Sequence, residues 1–83
     1  MSGDIDSRNS SGTDGEGDAP GANDNASGMA GTLEAARLLS QYSFPNSIVY
    51  AGLSGEEQGL WGGAFMASIA RDEDWNVVGV LNN

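Results

Sequence analysis

The run Ile48-Val-Tyr-Ala-Gly-Leu53 most narrows the folds open to this chain. It carries no charge and no apolar-polar alternation, so it reads as a strand buried on both faces, as in a parallel sheet covered by helices. Directly after it comes Ser54-Gly-Glu-Glu-Gln-Gly59, a glycine-flanked turn that puts Glu56 and Glu57 at the strand's carboxyl end. In open α/β sheets, ligands collect beyond that end of the strands. Two adjacent carboxylates repel and shift one another's protonation unless solvent or a cation intervenes, so the pair suggests one metal ligand and one free base. The alternative is the first turn of a helix, where acids favour the macrodipole.

The rest of the chain alternates around that strand. Ile5, between Asp4 and Asp6, reads as the last inward residue of a strand whose beginning is missing. Residues 7–23 form a Gly/Ser/Asp-rich loop with Pro20-Gly21, longer than ordinary connections and therefore either disordered or a binding loop that something holds in place. Asn23, Asp24 and Asn25 supply capping side chains, and Ala26, Met29, Ala30, Leu33 and Ala36 share one face of a helix predicted to run to about Tyr42. Phe44-Pro45-Asn46 ends it. Leu60 to Ala70 is a second helix in which Trp61, Phe65 and Met66 are expected in the core, with Trp61 also placed to line a substrate pocket. Asp72-Glu-Asp74 is a solvated turn, and Trp75 to Leu81 reads as a third strand with no closing turn, as if cut.

Strand, helix, strand, helix, strand specifies an α/β fold with right-handed crossovers and a mainly parallel sheet. The strands then point their carboxyl ends at one edge, where Asp4, Asp6, Glu56 and Glu57 gather and Asp24 arrives from the loop. Five acids without a counter-ion need a cation or a shifted pKa, and a metal is the simpler answer. The alternative makes Asp4 and Asp6 frayed terminal charges and Asp24 a helix cap.

Composition excludes other chemistries. The 83 residues include three arginines, twelve acids and no cysteine, histidine or lysine, for a net charge of −9. Without an imidazole base there is no Ser-His-Asp triad within these residues, without lysine no P-loop, and without cysteine no disulfide or thiolate metal site. The charge argues against a nucleic-acid partner and for cations. No apolar stretch approaches the ~20 residues of a membrane span, and the N-terminus lacks the basic and apolar regions of a signal peptide. Asp14-Gly-Glu-Gly-Asp18 begins like a calcium loop but has Ala19 and Asn25 where an EF-hand needs glycine and glutamate. Gly52-Leu-Ser-Gly-Glu56 misses the second glycine of a nucleophile elbow. Asn9-Ser-Ser11 and Asn25-Ala-Ser27 match glycosylation sequons, a pattern short enough to arise by chance.

Three segments together, Asp18-Ala-Pro-Gly-Ala-Asn-Asp-Asn-Ala-Ser-Gly28, Leu33-Glu-Ala-Ala-Arg-Leu-Leu39 and Ile48 to Leu60, resemble the M28 family of zinc-dependent aminopeptidases. The resemblance implies that residues 1–83 are a partial catalytic domain, a fragment of an α/β/α sandwich with a mainly parallel central sheet. It also implies two zinc ions and a peptide substrate, with Asp24 as bridging ligand, Glu56 as general base, Glu57 as zinc ligand and a cis bond between Asp24 and Asn25. The close approach of backbone to metal would use Gly52, Gly55 and Gly59. Gly3-Asp-Ile-Asp-Ser7 departs from the family pattern Gly-His-x-Asp-Ser. Asp4 stands at the histidine ligand's position, and Asp6, which would orient that histidine from the second coordination shell, loses its partner. A periplasmic or secreted location is implied by resemblance alone. The alternatives are a non-catalytic homologue or fragment that binds metal weakly or not at all, and a carboxypeptidase of the same fold. The 83 residues alone are expected to be thinly packed and inactive.

Overall fold

The computed structural model describes all 83 residues, Met1–Asn83. Strand β1 (Ser2–Asp4) pairs in parallel with β2 (Ala51–Leu53), with Ser2 opposite Ala51 and Asp4 opposite Leu53. Between them lie residues 5–21, a distorted turn over Ala22–Ala26 and helix α1 (Ser27–Leu39). Helix α2 (Trp61–Asp72) follows β2. The architecture is α/β, a two-stranded parallel sheet with two helices.

The strand predicted from Ile48 is shorter than the apolar run. Pairing starts at Ala51, opposite Ser2, and ahead of it the Met1 nitrogen donates to the Val49 carbonyl at 2.6 Å. The predicted third strand, Trp75 to Leu81, is also corrected. Only Asn82 bridges to Ser2, on the side of β1 away from β2, through Ser2 N–H to the Leu81 carbonyl (2.9 Å) and Asn83 N–H to the Ser2 carbonyl (3.0 Å). Trp75 to Leu81 forms no ladder, and Val78 and Val80 lie exposed.

Helix α1 crosses β1 where both have glycine. A methyl group on Gly3 would stand 3.1 Å from the Gly28 carbonyl carbon and the Met29 nitrogen, so the two backbones touch with no side chain between them. That contact sets the helix rotation. Met29, Thr32, Ala35, Ala36 and Leu39 turn inward, at i, i+3, i+4 spacing. Ala26, Ala30 and Leu33, expected on the inner face with Met29 and Ala36, are exposed. Leu33 carries more apolar surface than Thr32, yet Thr32 is the buried one because its hydroxyl accepts from Asn83 Nδ2 at 3.2 Å. A side-chain preference was overruled by a backbone contact.

No apolar residue is fully buried. The accessible area of 6090 Å² exceeds the roughly 4,700 Å² that a compact chain of this mass would expose. With extents of 45 × 30 × 15 Å, the molecule is a slab one sheet-and-helix layer thick. Trp61 (64% exposed) and Phe65 (69%) find no core within these 83 residues, and only Met66 of the three is half-buried. No helix is long and apolar enough to cross a membrane.

Two neighbouring glycines of α2 separate packing from propensity. A methyl group at Gly62 would meet the Ser54 carbonyl oxygen at 2.5 Å and the Ser54 nitrogen at 2.7 Å, whereas at Gly63 the nearest atom is Leu53 Cδ1 at 3.9 Å. In the intact protein, Gly62→Ala should destabilise by about 1–3 kcal/mol through the backbone clash. Gly63→Ala should stabilise by about 0.5–1 kcal/mol through helix propensity. Thermal or denaturant unfolding of the two variants checks the opposite signs.

Candidate active site

Parallel pairing brings the carboxyl ends of β1 and β2 to one edge, and the chain continues the contact beyond the ladder. Ile5 N–H donates to the Leu53 carbonyl at 2.8 Å. One residue on, the Asp6 carboxylate accepts the N–H groups of Glu56 and Glu57, one on each oxygen, both at 3.2 Å. The turn is closed from the other side by the Glu56 carbonyl, which accepts from Gly59 and Leu60 at 2.9 and 3.0 Å. Gly55 (φ 76°) and Gly59 (φ 124°) supply left-handed backbone for this turn. Gly52 has another duty, since a methyl there would press on Ile5 Cγ2 at 3.0 Å and Met29 Cε at 3.1 Å.

Asp6 is thus a structural acceptor, a role that the Gly-Asp-Ile-Asp-Ser pattern did not reveal. Burial pushes its pKa up, but the N–H groups of Glu57, Glu56, Asp6 itself and Gly55 together outweigh that and hold it below the usual carboxylate range.

The long loop is held at two points. Ser7 Oγ donates to the Ala19 carbonyl at 2.6 Å. Within it, Asp14 accepts from Glu16 N–H, Gly17 N–H and Asn9 Nδ2, which commits the calcium-like segment to local turns. The loop delivers Asp24, followed by a cis bond to Asn25 as the resemblance implies. Asp24 caps nothing, in contrast to the capping alternative. Asn25 does, accepting from Gly28 N–H at 3.2 Å while its Nδ2 donates to the Asn83 carbonyl at 2.6 Å. This clamp from the helix start to the chain's last residue was also unforeseen.

Asp24 and Glu57 line one cavity of about 450 Å³, together with Arg8, Asn9, Pro20 and Asn23. Asp4 and Asp6 line a neighbouring cavity of about 350 Å³ on the other side of Pro20-Gly21, with Asn25, Met29 and Leu33. Glu56 is half-buried beside them. Partial burial raises its pKa, and the charges of Glu57, Asp4, Asp24 and Asp6 push it further the same way. Glu57 instead has a partner: Arg8 Nε donates to its Oε2 at 2.7 Å.

Zinc accepts carboxylate oxygen as well as imidazole nitrogen, so Asp24 and Glu57 on one cavity wall fit a cation as two members of a ligand set. No three His, Cys, Asp or Glu side chains stand close enough together to hold a metal. Asp4 lies in the adjoining cavity.

A sequence profile described as peptidase family M28 matches residues 2–83. The chain belongs to that family. It is 49% identical over its whole length to a protein of Pyricularia oryzae named as a probable zinc metalloprotease, covering 16% of that protein. Similarly named proteins of Pyrenophora tritici-repentis and Phaeosphaeria nodorum are 44% and 40% identical, with 99% and 96% of this chain aligned over 17% and 18% of theirs. The chain therefore spans about a sixth of the length of these curated relatives. No solved structure matches it.

The Asp6 contact has a signed pH consequence. A carboxylate whose folded-state pKa lies below its unfolded value contributes stability above the unfolded pKa and loses it as pH falls through the folded one. Asp6→Asn replaces one acceptor oxygen by an amide donor facing an N–H group. It should cost about 1–3 kcal/mol at neutral pH and flatten the stability profile on the acid side of the usual carboxylate range. Denaturant unfolding of both forms across pH checks this.

Proposed function

We propose that the protein of this chain is a two-zinc aminopeptidase, and that these elements belong to an α/β/α sandwich. Within the metallopeptidase family shown by sequence, the observation that carries this reading is the shared cavity of Asp24 and Glu57 beside a Glu56 whose neighbours raise its proton affinity. Asp24, as the shared ligand, and Glu57 and Asp4 would supply carboxylate oxygens to the zinc ions, as part of a ligand set. Bound zinc would supply polarisation of the scissile carbonyl and a more acidic water.

The chain's own residues do the rest. Glu56 takes a proton from the attacking water and returns it to the leaving amine, a task for a carboxylate of raised basicity. Asp6 positions it by holding the Glu56 and Glu57 backbone. The excess of carboxylates supports an exopeptidase that reads the ammonium end of a peptide, since a substrate's terminal carboxylate would be repelled.

In the intact protein, Glu56→Gln should leave zinc content near normal and lower kcat by about 10²–10⁴, whereas Glu57→Gln should lose metal. Metal analysis beside kinetics on an aminoacyl reporter checks both. The assignment is reversed if Glu56→Gln strips the metal while Glu57→Gln stays active, and cleavage of amino-blocked but not free peptides would refute aminopeptidase specificity.

A further inference from the structure

The turn that carries Glu56 ends in left-handed backbone on both sides, at Gly55 (φ 76°) before it and at Gly59 (φ 124°) and Leu60 (φ 62°) after it. Glycine supplies that conformation and equally the freedom to leave it. Asp6 holds the turn from one side, through two N–H groups at 3.2 Å. A second constraint comes from the first residue of α2. Trp61 N–H donates to the Gly55 carbonyl at 3.0 Å and Gly62 N–H to the Ser54 carbonyl at 2.8 Å, so the helix starts on the chain that enters the turn. The Trp61 side chain then lies against both glycines. A methyl group on Gly55 would stand 3.1 Å from its Cβ and 3.3 Å from Cε3, and one on Gly59 would stand 3.5 Å from Nε1 and 3.9 Å from Cδ1. The Glu57 carboxylate is tied to Arg8, whereas no ion pair holds that of Glu56. The direction of Glu56 therefore depends on the backbone that carries it.

We propose that Trp61 is a positioning residue for the general base: its indole braces the turn at Gly55 and Gly59 and so fixes the backbone from which Glu56 projects. This rests on the assignment of Glu56 as the base. The side chain remains 64% exposed, so burial of its own surface is not its main contribution. What it does is fill the space that two residues without side chains leave beside the turn, where an empty gap would forfeit contact on that flank. Without the indole, Asp6 still holds the two N–H groups, but the glycine flanks are free to relax and the carboxylate is presented in several orientations instead of one. A displacement of about 1 Å at a reacting group costs about 10² in rate. The loss falls on kcat rather than on KM, because Glu56 moves a proton and does not hold the substrate.

The test combines kinetics on an aminoacyl reporter with amide hydrogen exchange of the segment 54–60, both on the intact protein, for the parent and for Trp61→Ala, Trp61→Phe and Trp75→Phe. Trp61→Ala should lower kcat about ten- to hundredfold with KM close to the parent's, and should speed exchange in the turn several-fold. Alanine is the better helix former, so weakening of α2 would not account for that loss. Trp61→Phe, which keeps a ring against Gly55, should recover most of both effects, and Trp75→Phe, at the other of the two tryptophans, should alter neither. If Trp61→Ala does not fold, Trp61→Leu carries the same expectation. Unchanged kcat, a loss carried by KM, unchanged exchange in the turn, or a phenylalanine no better than alanine overturns the inference alone. Parent-like kcat in Glu56→Gln overturns the assignment of the base, and this inference with it.

Discussion

The Asp6 carboxylate takes one N–H from each of two consecutive residues, Glu56 and Glu57, and much of the site follows from that cradle. The β1–β2 ladder is only three residues long, and a short two-stranded pair is weak by itself. Asp6 continues the pairing beyond it with side-chain oxygens in place of a carbonyl. The peptide groups of the two glutamates are thereby committed to the sheet, and their carboxylates are left for other partners. Glu57 takes Arg8, and Glu56 is left among like charges that raise its affinity for a proton.

On the other side of β1, small and polar residues make the contacts. Gly3 and Gly28 let strand and helix touch backbone to backbone, and buried Thr32 and Ser2 bond to Asn83 and Asn82. Asn25 ties the start of α1 to the same terminal residues. These bonds are directional, so they specify where the elements sit more than they stabilise them.

Electrostatics link the fold to its chemistry. Five acids belong to segments that the sheet must bring to one edge, and one guanidinium stands among them. Such an edge attracts cations, in keeping with the peptidase family to which the chain belongs and with its relatives named as probable zinc metalloproteases. Asp24 and Glu57 share a cavity, while Asp4 lines the next.

By itself the sequence determined the α/β class, both helices, the parallel pairing of β1 with β2 and the family, because apolar runs, helical periodicity and the Gly-Glu-Glu turn are local signals. Where pairing starts, which face of α1 turns inward, and that the run from Trp75 to Leu81 lacks a ladder were decided by tertiary structure. A strand needs a neighbour at every residue, and a helix rotates to suit the closest backbone contact rather than its most apolar stripe. The ties from Asp6 to Glu56 and Glu57, from Arg8 to Glu57 and from Asn25 to Asn83 join residues about fifty or more positions apart. Nothing in the local pattern distinguishes those three side chains from other polar groups, since their partners are chosen only when parallel strands bring distant turns to the same edge.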